Sequence, residues 1–229
     1  MRHHLFRLPR YFTIMRHAES VWNVAGKVQG RLDDPSITLS PLGWQAAQAL
    51  QLPKPHVLIT SPLLRCKQTA SAWLGADFDK LPVDTKMKSD ILEIHAGHYE
   101  GRFIKDLQHD PLWQVWMKDP TRFPGFPGGE TLAEFQHRIL HGIGEICADY
   151  GDKQLSDGTP VNVCVLTHGV AMRVIKCFLA WQGAEHLWSH QATNLEQIHL
   201  SGAQIQQFQA HYAQCSMMDA KVSPNFFWK

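Results

Sequence analysis

Three short apolar runs stand out along the chain, each bounded by polar or turn residues: "YFTIM" at 11–15, "HVLIT" at 56–60 and "VNVCVL" at 161–166. Continuous β-branched and aliphatic runs of this length predict buried strands. Between them the apolar spacing becomes helical. "TLSPLGWQAAQAL" predicts a helix with Ser40 as N-cap and Pro41 at its first position. "SPLLRCKQTASAWLG" predicts a second helix, again opened by Ser-Pro, here Ser61-Pro62. Residues 131–150 carry a helical apolar stripe, and "VAMRVIKCFLAW" follows the third run. "NLEQIHL-SG-AQIQQFQAHY" predicts a β-hairpin turning at Ser201-Gly202. Alternating strands and helices predict an α/β protein. The expected form is a three-layer α/β/α sandwich with a mostly parallel central sheet and an antiparallel C-terminal hairpin.

The segment 102–129 breaks the alternation. Its "LWQVWMKDPTRFPGFPGGE" is rich in Trp, Phe, Pro and Gly. It predicts an irregular insertion with a short helix near Leu112–Met117, suited to act as a lid over a pocket. Core packing is the favoured reading of Trp113 and Trp116 over a substrate platform. No repeat or low-complexity linker divides the chain, so residues 1–229 are expected to form one domain.

Composition narrows the function. Hydrophobic residues make up 44% and charged ones 19%, enough for a sizeable core and against wholesale disorder. A net charge of +1 argues against a nucleic-acid or membrane-surface partner, while leaving room for a locally basic pocket. Five cysteines without C-x-x-C spacing point to reduced thiols. The start "MRHHLFRLPRY" lacks a signal-like apolar stretch, and no run approaches the about 18 apolar residues of a spanning helix. A cytoplasmic location is the expectation. The tail "MMDAKVSPNFFWK" is expected to dock its aromatics on the body or on a second subunit, which leaves a homodimer open.

The chemistry sits at the ends of the three runs. Arg16-His17 follow the first. Ser61-Pro62 follow the second, with Arg65 in the next helical turn. Thr167-His168-Gly169 follow the third. Ligands bind beyond the carboxyl ends of parallel strands. If the runs are parallel neighbours, two arginines and two histidines meet at one edge. Such a cluster is stable only around an anion or with neutral histidines. Phosphate fits, because the arginine fork matches its oxygens and helix N-termini add N–H donors. Asn23, Gln29 and Gly30 lie close enough along the first loop to add donors. One neutral imidazole suits attack on phosphorus, and the other, charged, suits balancing the developing oxyanions. A leaving alkoxide also needs an acid. Glu93, Glu100 and Glu130 are the candidates; hydrogen bonding at the Gly101 turn is the plain alternative for Glu100, and helix capping for Glu130.

"RHAESVWN", "SPLLRCKQTA", "LEIHAGHYEG", "PGGET" and "LTHG", in that order, resemble the signature of the histidine phosphatase superfamily, the phosphoglycerate-mutase-like branch. The resemblance runs from about Phe12 to Tyr212. It implies His17 as the phosphorylated nucleophile. It implies Arg16, Arg65 and His168, with Gly169 beside it, around the phosphoryl group, Asn23 as a further contact, and Glu93 as proton donor. It implies no cofactor and no metal, the arginines supplying the charge. Ala18 stands where the family usually has Gly, Cys66 where a small residue is common, and Val170 where Gly is frequent; none removes a reacting group. The short insertion looks like the phosphatase branch, including α-ribazole and broad-specificity phosphatases acting on small phosphorylated metabolites. A phosphoglycerate mutase, a protein phosphatase and a catalytically silent binding protein are the alternatives. Histidine pairs at His137/His141, His186/His190 and His95/His98 lack the H-E-x-x-H pattern and read as ordinary surface or core residues rather than metal ligands.

Overall fold

The three apolar runs become adjacent parallel strands, and their side-chain alternation builds a core on each face of the sheet. In the computed structural model, which describes residues 11–219, chain order is β1 (Phe12–Arg16), α1 (Val21–Val24), α2 (Pro41–Gln48), β2 (Val57–Thr60), α3 (Leu64–Leu74) and β3 (Asp84–Met87). There follow α4 (Pro111–Lys118), α5 (Leu132–Tyr150), β4 (Val163–Thr167), α6 (Gly169–Leu179), β5 (Gln197–His199) and α7 (Gly202–Asp219). The sheet order is β3-β2-β4-β1-β5, and only the β1–β5 pairing is antiparallel.

Successive strand residues point to opposite faces. Phe12, Ile14, Val57, Ile59, Val163 and Val165 join the α5–α6 side, with Phe135, Ile139 and Ile175. Met15, Leu58, Cys164 and Leu166 join the α3 side, with Cys66, Ala70 and Trp73. Burying each such aliphatic side chain contributes roughly 1.5–3 kcal/mol, which fixes strand register and, with it, the height at which Arg16, Ser61 and His168 leave the sheet. The three-layer expectation is met.

Three local readings are corrected. The predicted hairpin is one strand followed by a helix. Gln197–His199 pair with β1, but Ser201-Gly202 begin α7. Ser201 Oγ accepts from Gln204 N–H at 3.3 Å, and Gln204 Oε1 accepts from Ser201 N–H at 2.9 Å. This reciprocal cap starts a helix instead of turning a hairpin, and Phe208 then buries against Phe178 with ring centroids 4.7 Å apart. Second, α3 begins at Leu64, not at Ser61-Pro62. Its first N–H donates to Asp33 Oδ1 at 2.7 Å, which leaves Ser61 for other work. Third, β3 has no counterpart among the predicted strands: "DTKM" is a polar, largely exposed edge strand without an apolar run.

Ser40 and Pro41 open α2 as expected. The short helix of the insertion is α4, capped by Asp110. No helix among the described residues is long and apolar enough to cross a membrane. His3-His4 and the aromatic tail Phe226, Phe227 and Trp228 lie outside the described residues.

Candidate active site

The parallel order of β1, β4 and β2 brings the three strand ends side by side, and a cavity of about 280 Å³ opens there. Arg16, His17, Arg65, Glu93, Gly169, Asn23, Gln29 and Gly30 all line it. His168 does not; it stands behind Arg65.

His17 is 2% exposed. Its Nδ1 lies 2.7 Å from Ala18 O. A carbonyl only accepts, so Nδ1 carries the proton and Nε2 holds the lone pair, with no partner among the described residues. The backbone is fixed on both sides: His17 N–H donates to Thr167 O at 2.9 Å, and Asn194 donates to His17 O at 3.0 Å. Burial, then the charges of Arg65 and Arg16, hold the ring well below the ordinary imidazole value. It is neutral at physiological pH. Ala18 is fully buried and outside the left-handed region, so its methyl group causes no backbone strain.

Arg65 enters from the first turn of α3 and is 1% exposed. It donates from Nη2 to Gly30 O at 2.8 Å and from Nε to His168 Nδ1 at 3.2 Å. That bond settles the tautomer of His168: Nδ1 accepts, so Nε2 carries the proton and donates to Ser61 Oγ at 2.7 Å. Burial, then Arg65, keep His168 well below the usual imidazole range. The expectation of a charged second histidine is therefore corrected. In this arrangement His168 is neutral and orients Arg65, the two imidazoles meeting edge to face at 5.3 Å. Ser61 opens no helix; its hydroxyl is the partner that locks this ring.

Arg16 donates from Nη1 to Ala192 O, while its buried Nε has no partner among the described residues. A buried, unsatisfied cationic donor is costly unless an anion meets it. Gly169 matters here: a Cβ at that position would lie 3.3 Å from Arg16 Nε and Cζ. Asn23 and Gln29 turn their oxygens to Ser20, at 3.0 and 2.8 Å. Their amide N–H groups remain as donors on the cavity wall.

Of the three carboxyl candidates, only Glu93 lines the cavity. Its Oε2 accepts from Val170 N–H at 3.1 Å, at the start of α6, and its Oε1 from Ile94 N–H at 3.0 Å. Glu100 is a brace. It accepts from Arg31 N–H at 2.8 Å and Ala96 N–H at 3.0 Å, beneath Gly30. Glu130 is not the helix cap; Thr131 is, in a reciprocal pair with Glu134. Glu130 pairs with Arg31 and Arg138. Arg138 in turn donates to the carbonyls of Asp90, Leu92 and Glu93 at 2.8–3.2 Å, which holds the loop carrying Glu93.

Trp113 and Trp116 are buried in the core, as expected, and their edges also line the cavity. Arg173 and Lys27 line it too, and neither was singled out in the sequence. Arg173 carried a usable signal: it is four residues after Gly169 and so on the same face of α6. Lys27 carried none. Away from the cavity, Asp90, His141 and Glu145 bring ligand-type atoms within 4.8 Å of one another. Lys88 already pairs with both carboxylates, at 2.8 and 2.5 Å.

The family model for the histidine phosphatase superfamily (branch 1) matches residues 12–213. Phosphoserine phosphatase 1 of Hydrogenobacter thermophilus is 30% identical over 188 residues, covering 79% of this chain and 81% of that protein. Among solved structures, Bacillus stearothermophilus YhfR superposes with a TM-score of 0.68 at 24% identity, over 83% of this chain and 91% of that one. The α-ribazole phosphatase from Shigella flexneri superposes with a TM-score of 0.64 at 22% identity, over 80% and 86%. These two likenesses concern the fold.

Proposed function

The chain belongs to the histidine phosphatase superfamily (branch 1), and on that premise we propose that it hydrolyses a small phosphomonoester through a phosphohistidine formed on His17. One observation carries the reading. His17 is buried and neutral, its proton is parked on Nδ1 by Ala18 O, and its Nε2 is left unpartnered on a cavity that Arg16 and Arg65 also line.

Nε2 attacks phosphorus and the P–O bond to the alcohol breaks. Arg16, with its unsatisfied Nε, and Arg65 hold the equatorial oxygens. Asn23, Gln29 and the α6 N-terminus at Gly169 add donors. His168 keeps Arg65 in place from behind. Among the described residues Glu93 is the one carboxylate on the wall, so the proton for the leaving oxygen falls to it. Water then attacks the phosphohistidine, Glu93 takes a proton from that water, and phosphate leaves as the P–N bond breaks. The arginines supply the charge stabilisation for both steps. The segment 102–129 contributes Ile104, Trp113, Trp116, Met117 and Phe126 to the cavity and acts as its lid, within one domain.

Hydrolysis is favoured over mutase chemistry because the lid side of the cavity, Ile104, Trp113, Trp116, Met117 and Phe126, gives a second phosphate no side-chain cation. Release of inorganic phosphate from a panel of phosphomonoesters, with and without a chelator, tests this. Hydrolysis insensitive to chelator and absent in His17→Ala is expected. Phosphoglycerate isomerisation that outruns hydrolysis of every monoester would refute it.

A further inference from the structure

The carboxylate that faces the cavity sits on irregular backbone. Glu93 lies within residues 92–96, which belong to no helix or strand. A proton donor must come within about 2.6–3.2 Å of the oxygen it serves, and a loop offers that precision only where other groups fix it. Three side chains fix this loop from behind. Arg138, in the middle of α5, donates to the carbonyls of Asp90, Leu92 and Glu93 at 2.8, 3.0 and 3.2 Å. Arg31 Nε reaches the same Glu93 carbonyl at 3.4 Å. Glu130 joins the two arginines. It meets Arg138 in a two-pronged pair, Nε to Oε1 and Nη2 to Oε2, both at 3.0 Å, and pairs with Arg31 through Oε1. Its Oε2 also accepts from His95 N–H at 2.9 Å, two residues past Glu93.

The surrounding packing keeps this arrangement in one geometry. The Arg138 and Glu130 side chains are 16% and 14% exposed, and a two-pronged pair so shielded from water has a fixed orientation. The α5 backbone approaches closely: a Cβ at Gly142 would lie 2.5 Å from Asp90 Cβ. The turn before Glu130 approaches as closely, since a Cβ at Gly129 would lie 2.2 Å from His95 O. Neither Arg138 nor Glu130 lines the cavity, so neither reaches a bound substrate. The phosphate-holding groups rest on other supports, Arg16 on Ala192 O and Arg65 on Gly30 O and His168. Of the groups on the cavity wall, the pair therefore bears most directly on Glu93.

Resting on the hydrolase reading, we propose that the Glu130–Arg138 pair is a positioning device for proton transfer, holding the backbone from which Glu93 reaches the leaving oxygen. As the P–O bond breaks, its electron pair passes to that oxygen and the Glu93 proton joins it. Without the pair the carboxyl drifts while the phosphoryl group is still held.

Two aromatic substrates separate these effects: benzyl phosphate, whose alkoxide must leave protonated, and p-nitrophenyl phosphate, whose phenolate leaves bare. Arg138→Met should lower kcat/KM about 10–100-fold on benzyl phosphate and less than about threefold on p-nitrophenyl phosphate. Glu130→Gln, which keeps the shape and loses the charge, should show the same selectivity with a smaller loss. In Glu93→Gln protein, adding Arg138→Met should cost little more on benzyl phosphate, because no proton remains to be placed. Equal losses on the two substrates, no loss on benzyl phosphate, or additive losses in the double variant would overturn the proposal while the hydrolase reading stands. So would unfolding of both Arg138→Met and Glu130→Gln, which would make the pair an element of stability alone. An unaltered protein that hydrolyses neither substrate would overturn the hydrolase reading and this proposal with it.

Discussion

Lowering the pH from 7.5 to 5.5 should remove about 3 kcal/mol of folding stability through two rings alone. In the unfolded chain, His17 and His168 each take up a proton near the ordinary imidazole value of 6.5. In the folded chain both stay neutral well below that value, because burial and then Arg65 oppose the charge. The unfolded state therefore binds more protons below pH 6.5, and stability falls as pH falls. It is fully present above that value. Each ring costs about 1.4 kcal/mol for each pH unit spent below it. Urea unfolding at the two pH values reads the loss as a midpoint lowered by roughly 1 M, for an m-value near 2–3 kcal/mol/M. Other groups titrate as well; His190 and His211 are also held low by burial. The double variant His17→Ala/His168→Ala keeps those and lacks the two rings, so its pH loss should be smaller by about 3 kcal/mol. Equal losses in the two proteins would refute the neutral, buried pair.

Glu93→Gln should lower kcat/KM, which reports the phosphorylation step alone, on alkyl phosphates about 10²–10⁴-fold. The loss of kcat/KM on p-nitrophenyl phosphate should be far smaller, because a phenolate leaves without a proton; equal losses of kcat/KM on the two substrates would remove Glu93 from the acid role. Gly30→Ala should destabilise by more than about 2 kcal/mol, from the left-handed backbone and the displaced Glu100 brace. Here φ is +52° and the new Cβ would lie 2.1 Å from Glu100 Oε1. Gly75→Ala, at φ +73° with nothing within 4 Å, is the control for backbone strain alone. Equal urea midpoints for the two variants would contradict the brace.

The readable parts of this fold were those in which one local signal decides the outcome. β1, β2 and β4 are buried on both faces, so their sequences are continuous apolar runs, and Arg16, Ser61 and His168 had to emerge together where those runs stop. β3 failed that test because an exposed edge strand needs no apolar run. The C-terminal segment held two competing signals. Ser201-Gly202 resembles a hairpin turn, but Ser201 with Gln204 is also a helix-capping pair, and Ile205 and Phe208 follow at helical spacing; packing against α5 and α6 favoured the helix. Within the site, residue types announced His17 and the arginines. The neutral state of His168 depends on a burial and an Arg65 contact that no local window contains. Arg173 and the Glu130–Arg138 pair likewise acquire meaning only once helix phase brings them to the cavity or to the loop carrying Glu93.

The central claim is that His17 Nε2 forms a bond to phosphorus. Rapid quenching of the protein with ³²P-labelled phosphomonoester, followed by peptide mapping, tests it most directly. The account predicts an acid-labile, base-stable label on His17 that is absent from His17→Ala protein. Label on any other residue, label retained by His17→Ala, or turnover without labelled protein at any quench time would contradict it.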